Sequence, residues 1–141
     1  MEESDIFLFT SNHLEGWGAV LNESMNSACA VVAGSGIGAV PFLIRHGQNG
    51  LVFQNECYRE FQEQVLLLCE DENLRKTLGV NAYQTMIGEW NPETAADRLY
   101  RFCEGLLNGK MQPEKEGPLS PAPLIAPRAG YAYTRRKTGQ G

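Results

Sequence analysis

Nowhere in these 141 residues does an apolar run approach the ~20 residues that a membrane-spanning helix needs. Positive charge is scarce too. Twelve Lys and Arg stand against 17 Asp and Glu, a net charge of -5, which leaves no basic footprint for nucleic acid or an anionic membrane. Cysteine is thinly scattered: Cys29, Cys57, Cys69 and Cys103 form no CxxC pair, and the two histidines, His13 and His46, do not cluster. That spacing argues against a zinc site or a disulfide framework. The four read as reduced, mostly buried cytosolic thiols. The acidic start "MEESD" is unlike the basic n-region of a secretory signal, and the expected location is the cytoplasm. What is present is material for a packed core. Hydrophobic residues make up 43% of a length sufficient for one domain but short for an enzyme enclosing two substrates between lobes.

Along the chain, Asp5 to Thr10 is a short apolar run of the kind found in an interior strand covered on both faces of a parallel sheet. Val20, Leu21 and Met25 recur at helical spacing between Gly18 and Ala28. "CAVVAGS" predicts a second buried strand over Ala30 to Ala33, followed by a glycine-rich loop from Gly34 to Gly38 and a helical turn. "GQNGLVF" reads as a tight turn into a third strand at Leu51 to Phe53, with Asn49-Gly50 at the φ > 0 positions. Strands alternating with helices in this way mean α/β architecture with a parallel sheet.

From Tyr58 the period is helical throughout. Phe61, Val65, Leu68 and Cys69 are predicted to share one face, and Leu74, Leu78 and Ala82 lie in the helix that follows. A last helix starts near Pro92, at its favoured first position, and would turn Ala95, Leu99, Phe102, Cys103 and Leu106 toward the core. Residues 1–109 are thus read as one domain. Lys110 to Gly141 holds five of the seven prolines and no helical period, the pattern of a disordered tail.

The stretch "HLEGWGAVLNES" carries two carboxylates, Glu15 and Glu23, with seven residues between them and Gly16 and Gly18 after the first. A helix start after a glycine-containing loop presents backbone N–H groups suited to a phosphate or diphosphate. Gly16 and Gly18 would let that backbone approach closely. Glu23, about a turn and a half past Gly18, could accept hydrogen bonds from vicinal ribose hydroxyls, with Glu15 facing a sugar. Chemistry alone leaves a second reading open, in which Glu15 complements the helix start and Glu23 is a solvated face residue. The glycines match neither GxGxxG nor a Walker loop.

The segment from Glu2 to about Leu107 resembles the carboxy-terminal lobe of the large retaining glycosyltransferase family GT4, of the GT-B fold. The resemblance rests on Glu15, Gly16-Trp17-Gly18 and Glu23, the preceding strand ending in Ser11, the "VVA" strand, the Gly38-to-Pro41 turn, the Gly47-to-Gly50 loop and the closing "EWNPETAADRLYRFCEGLL". It implies a Rossmann-like half of that lobe with parallel strands and covering helices. It also implies transfer of a glycosyl group, of hexosyl type, from a nucleotide diphosphate-sugar to an acceptor hydroxyl with retention and without a bound metal or other cofactor. Glu15 would contact the donor sugar and is the catalytic candidate in that positioning sense. Gly16, Trp17, Gly18 and Ala19 would line the donor site, with N–H groups of Gly18 and Ala19 on the diphosphate, and Glu23 would hold the ribose.

Two departures qualify the resemblance. Where the family often reads Gly-Gly-x-Pro-Glu, this chain has Phe42 in place of the Glu, and Phe42 is assigned a packing role. His13 is a candidate sugar contact that is more often structural or exposed in such a loop, and His46, Trp90 and Arg45 are read as structural or surface residues. The partner lobe usual in GT-B enzymes, and the early strands of this one, have no counterpart here. The implied partners are a nucleotide-sugar donor, a glycan or lipid-linked acceptor, and the amino-terminal lobe in cis or in trans, through which membrane association would come. Truncation would expose strand edges and favour self-association. The alternative is a non-catalytic module that binds nucleotide or a partner subunit.

Overall fold

The computed structural model describes residue 1 and residues 3–121. Three strands, β1 (Ile6–Phe9), β2 (Ala30–Gly34) and β3 (Leu51–Phe53), form a parallel sheet in the order β1-β2-β3. Parallel neighbours require crossovers, supplied by α1 (Val20–Asn26) and the single turn α2 (Val40–Leu43). Three longer helices follow: α3 (Tyr58–Glu70), α4 (Glu72–Gly88) and α5 (Pro92–Leu107). Ile6 stands opposite Ala30, Phe9 opposite Ala33, and Val32 opposite Leu51.

The strand period of two divides the core between the faces of the sheet. Val31 and Ala33 point toward α1, α2 and α4, where they join Phe9, Leu21, Met25, Ile37, Leu43, Ala82 and Met86. Ala30 and Val32 point the other way, with Leu51, Phe53, Leu68 and Leu78. All five residues of β2 are buried, as expected of a strand covered on both faces. Each large aliphatic side chain removed from water in this way contributes roughly 1.5–3 kcal/mol. Polar caps define the helix starts: Asp71 accepts from Leu74 N at 2.9 Å, and Asn91 accepts from Thr94 N at 2.7 Å with Pro92 at the first position of α5.

Several expectations require correction. β1 is an edge strand among the described residues, with Ile6 and Phe7 half-buried and Leu8 44% exposed, because no described element packs on its outer side. The positive φ of the turn before β3 lies at Gly47 (+76°), not at Asn49-Gly50; Asn49 is buried, its Oδ1 accepting from Arg45 N and its Nδ2 donating to Leu43 O and Thr85 Oγ1. Of the cysteines, Cys29 alone is buried, while Cys69 and Cys103 are exposed and Cys57 is intermediate. Cys69 lies one residue past Leu68, and a step of about 100° carries it off the apolar stripe. Burial pushes the Cys29 thiol above its ordinary pKa, and its Sγ lies 3.1 Å from Ser4 O.

The helix α5 departs most. Its apolar stripe exists, yet no residue of α5 is buried, with Leu99 51% and Leu106 61% exposed. Beyond it, Lys110 to Pro121 forms neither helix nor strand but is tied back to the domain. Arg98 donates to Glu116 O and to Pro118 O, Arg101 pairs with Glu114, and Arg45 pairs with Glu116 and Glu89. The remainder of the expected disordered tail, residues 122–141, lies outside the described residues.

Candidate donor site at the strand carboxyl ends

In open parallel α/β sheets, ligands bind outside the carboxyl ends of the strands, where the loops to the next helices gather. The loop leaving β1 runs from Thr10 to Ala19 and carries five of the six predicted site residues. Asn12 starts its turn: Oδ1 accepts from Leu14 N and the backbone carbonyl accepts from Glu15 N, both at 2.9 Å. The chain thereby doubles back, and Ser11 Oγ donates to Glu15 Oε2 at 3.2 Å. Glu15 is half-buried in this turn.

Gly16-Trp17-Gly18 follows, pressed against the loop that leaves β2. A Cβ on Gly38 would come within 2.0 Å of Gly16 O, and Ala39 N donates to Trp17 O at 2.9 Å. No side chain larger than hydrogen fits at Gly38 without separating the loops. Gly18 has φ +81°, and a Cβ there would meet the Phe9 ring at 2.9 Å, so both conformation and space require glycine. Trp17 is anchored from the side. Its Nε1 donates to Asn22 Oδ1 at 2.9 Å, and its ring tilts against Phe42 (5.6 Å) and Trp90 (5.9 Å). Phe42 thus has the packing role expected of it, and Trp90 also packs on the core.

Beyond Ala19, α1 buries Leu21, Ser24 and Met25, which turns Glu23 to solvent. The structure therefore gathers Glu15, Gly16, Trp17, Gly18 and Ala19 into one turn. It places Glu23, exposed, on the outer side of the helix that this turn begins. His13 is exposed in the same loop.

Sequence reasoning missed a residue at the carboxyl end of β3. Asn55 Oδ1 accepts from Gly36 N at 2.7 Å, and Asn55 Nδ2 donates to Ser11 O at 3.3 Å. One side chain thus bridges the loops of the other two strands. Its only trace in the sequence is a polar residue just past a short apolar strand. A separate open groove of about 360 Å³ lies between Arg45–Asn49 and α4, lined by Arg45, Asn49, Asn81, Thr85 and Glu89 among others; no predicted site residue borders it. Among the described residues, no three His, Cys, Asp or Glu side chains come together as a metal site, and no helix is long and apolar enough to cross a membrane.

The fold is a three-stranded parallel α/β sheet with covering helices, and these loops gather at the carboxyl ends of its strands, where ligands bind in folds of this class. Residues 1–85 match the family described as Glycosyl transferases group 1, and the chain belongs to that family. It is similar to N-acetyl-alpha-D-glucosaminyl L-malate synthase of Bacillus anthracis, 31% identical over 113 residues that cover 77% of this chain and 29% of that protein. Among solved structures, it is similar to the C-terminal domain of the glycosyl transferase group 1 family protein LpcC from Francisella tularensis. That match has 30% identity and a TM-score of 0.57, covering 62% of this chain and 44% of the other. HepE from Anabaena, solved in complex with UDP, shares the fold at a TM-score of 0.66 and 24% identity, over 74% of this chain and 28% of that one. The architecture is accordingly that of the GT-B carboxy-terminal domain, present in part. The chain spans between 21% and 29% of the lengths of the curated relatives it matches.

Proposed function

We propose that this chain supplies the donor-binding part of a glycosyltransferase that moves a glycosyl group from a nucleotide diphosphate-sugar to an acceptor hydroxyl. The observation that carries this is the closed turn from Ser11 to Ala19, which presents Glu15 at a strand carboxyl end and leads into a helix with Glu23 on its outer side. Support for a nucleotide-sugar donor comes from membership of the group 1 glycosyl transferase family, from relatives named as glycosyltransferases, and from the HepE structure with UDP. In this reading Gly18 and Ala19 offer backbone N–H groups to the diphosphate, stabilising charge as the leaving group departs. Glu23 accepts from the ribose hydroxyls. Glu15, held by Ser11, contacts the sugar hydroxyls and orients the anomeric carbon. Gly16 and Trp17 shape the turn.

The finer assignment extends to a GT4-type enzyme of hexosyl type that retains anomeric configuration and works without a bound metal, in the cytoplasm. The acceptor is a glycan or lipid-linked hydroxyl bound by an amino-terminal lobe, in cis or in trans. The exposed β1 edge and the uncovered α5 stripe suit a domain completed by further protein, or one that self-associates when alone. Those same surfaces favour the second reading, a nucleotide- or partner-binding module without transfer of its own.

Calorimetric titration with UDP tests the donor site. A charge-assisted hydrogen bond contributes about 1.5–3 kcal/mol, so Glu23→Ala should weaken UDP roughly 10- to 100-fold. Glu15→Ala should leave UDP nearly unchanged and weaken the sugar nucleotide. Unaltered UDP affinity in Glu23→Ala would sink the ribose assignment. Sugar transfer by a two-lobe protein carrying this chain separates enzyme from module.

A further inference from the structure

The loops leaving β1 and β2 meet at two places. At one, the contact is steric: Gly38 lies beneath Gly16 O, and Ala39 N donates to Trp17 O. At the other it is made by Asn55, from the loop after β3. Asn55 Oδ1 takes Gly36 N at 2.7 Å, Asn55 Nδ2 gives to Ser11 O at 3.3 Å, and Asn55 N lies 3.4 Å from Ser35 Oγ. Its amide occupies the space that side chains at Gly34 and Gly36 would need, at 2.8 and 3.0 Å from their ideal Cβ positions. The residue that receives the Nδ2 hydrogen bond, Ser11, is also the one whose hydroxyl holds Glu15 Oε2. A continuous path therefore runs from the end of β3 through Asn55 and Ser11 to the Glu15 carboxylate.

We propose that Asn55 is a positioning residue of the donor site, holding the Glu15 turn in register with the Gly34–Gly38 loop through Ser11. The sugar-contacting role of Glu15 rests on the function proposed above; the mechanical link rests on the hydrogen bonds alone. In this proposal Asn55 acts through Ser11 and not on the donor itself. Its amide is suited to the task because it can accept from an N–H and donate to a carbonyl at once. A carboxylate of the same shape keeps the first bond and turns the second into repulsion.

Amide hydrogen exchange on the full chain, with titration of UDP and UDP-glucose, tests the link. In Asn55→Asp, the Glu15 amide, bonded to Asn12 O in the native turn, is expected to exchange about tenfold faster while the amides of β2 keep their protection. UDP-glucose affinity should fall about tenfold, with UDP alone changed by less than about twofold. Ser11→Ala, which cuts the next link, should reproduce that split, and the double variant should be no worse than either single one. Wild-type exchange at Glu15 in Asn55→Asp overturns the proposal. So does acceleration uniform across β2 and the turn, or losses of affinity that multiply in the double variant. Failure of the donor reading looks different: the native chain would bind neither nucleotide, and exchange at Glu15 would still decide whether Asn55 holds the turn.

Discussion

Helices α4 and α5 are nearly equal in length, 17 and 16 residues, and meet opposite fates. The α5 helix separates apolar from polar faces the more cleanly, yet none of its residues is buried. In α4 the separation is weak, but Leu78, Gly79, Ala82 and Met86 are all buried. The difference is set by what the rest of the chain offers. Gly79 and Ala82 let α4 lie close to the sheet: a Cβ on Gly79 would come within 2.2 Å of Ala28 O, at the turn into β2. Among the described residues nothing comparable faces α5, which Arg98 and Arg101 tie to an irregular segment. A helical period states that one side of a helix is apolar. It does not state that the cover lies in the same stretch of chain.

The largest expected effect comes from truncating the core side of α4. Leu78→Ala should destabilise by about 2–5 kcal/mol in urea unfolding, whereas Leu99→Ala in α5 should stay within about 0.5 kcal/mol. Equal losses at the two sites would mean that α5 is packed after all. Gly79→Ala is the next in size. Helix propensity favours alanine by ~1 kcal/mol, but overpacking against Ala28 O costs about 1–3 kcal/mol, so the variant should unfold more readily.

Legibility followed the same divide. The third strand, Leu51 to Phe53, and the start of α5 at Pro92 lie where the short apolar run and the proline place them, because both signals are local, although the positive φ before the strand lies at Gly47 and not at Asn49-Gly50. Burial of Val31 and Val32 was legible from the unbroken apolar run. Exposure of Leu8, Cys69 and Cys103 was not, since it depends on neighbours that periodicity does not describe. Within the site, the Glu15-to-Glu23 spacing was visible in the chain, while the clamp at Asn55 was not. It joins residues 44 and 19 positions apart, and only the parallel sheet brings their loops together.

Smaller perturbations sharpen the contrast. Arg98→Ala removes hydrogen bonds to Glu116 O and Pro118 O and should cost about 1 kcal/mol or less, while trypsin cleavage at Lys115 accelerates. In thiol labelling, Cys69 and Cys103 should react within the mixing phase of a slow titration, and Cys29, buried and with its thiol pKa raised by that burial, only on unfolding. The smallest effect concerns Glu72, whose carboxyl is held below its ordinary pKa by the hydrogen bond from Lys76 and by its charge. A depressed folded-state pKa gives stability that is fully present above the carboxyl's ordinary pKa and lost as pH falls through the lowered folded-state value. The small difference in thermal midpoint between the native chain and Lys76→Met should therefore shrink on going from neutral to strongly acidic solution.

The proposed nucleotide site is the turn from Ser11 to Ala19, with Glu23 beyond it. Titrating the isotope-labelled chain with UDP while following backbone amide shifts tests it most directly. Saturable shifts are expected at Gly18, Ala19 and Glu23, with smaller ones at Gly36 across the Asn55 clamp. Shifts confined to Arg45, Asn49, Asn81 and Thr85 would place the ligand in the groove beside α4 and contradict the donor site assigned to the strand carboxyl ends.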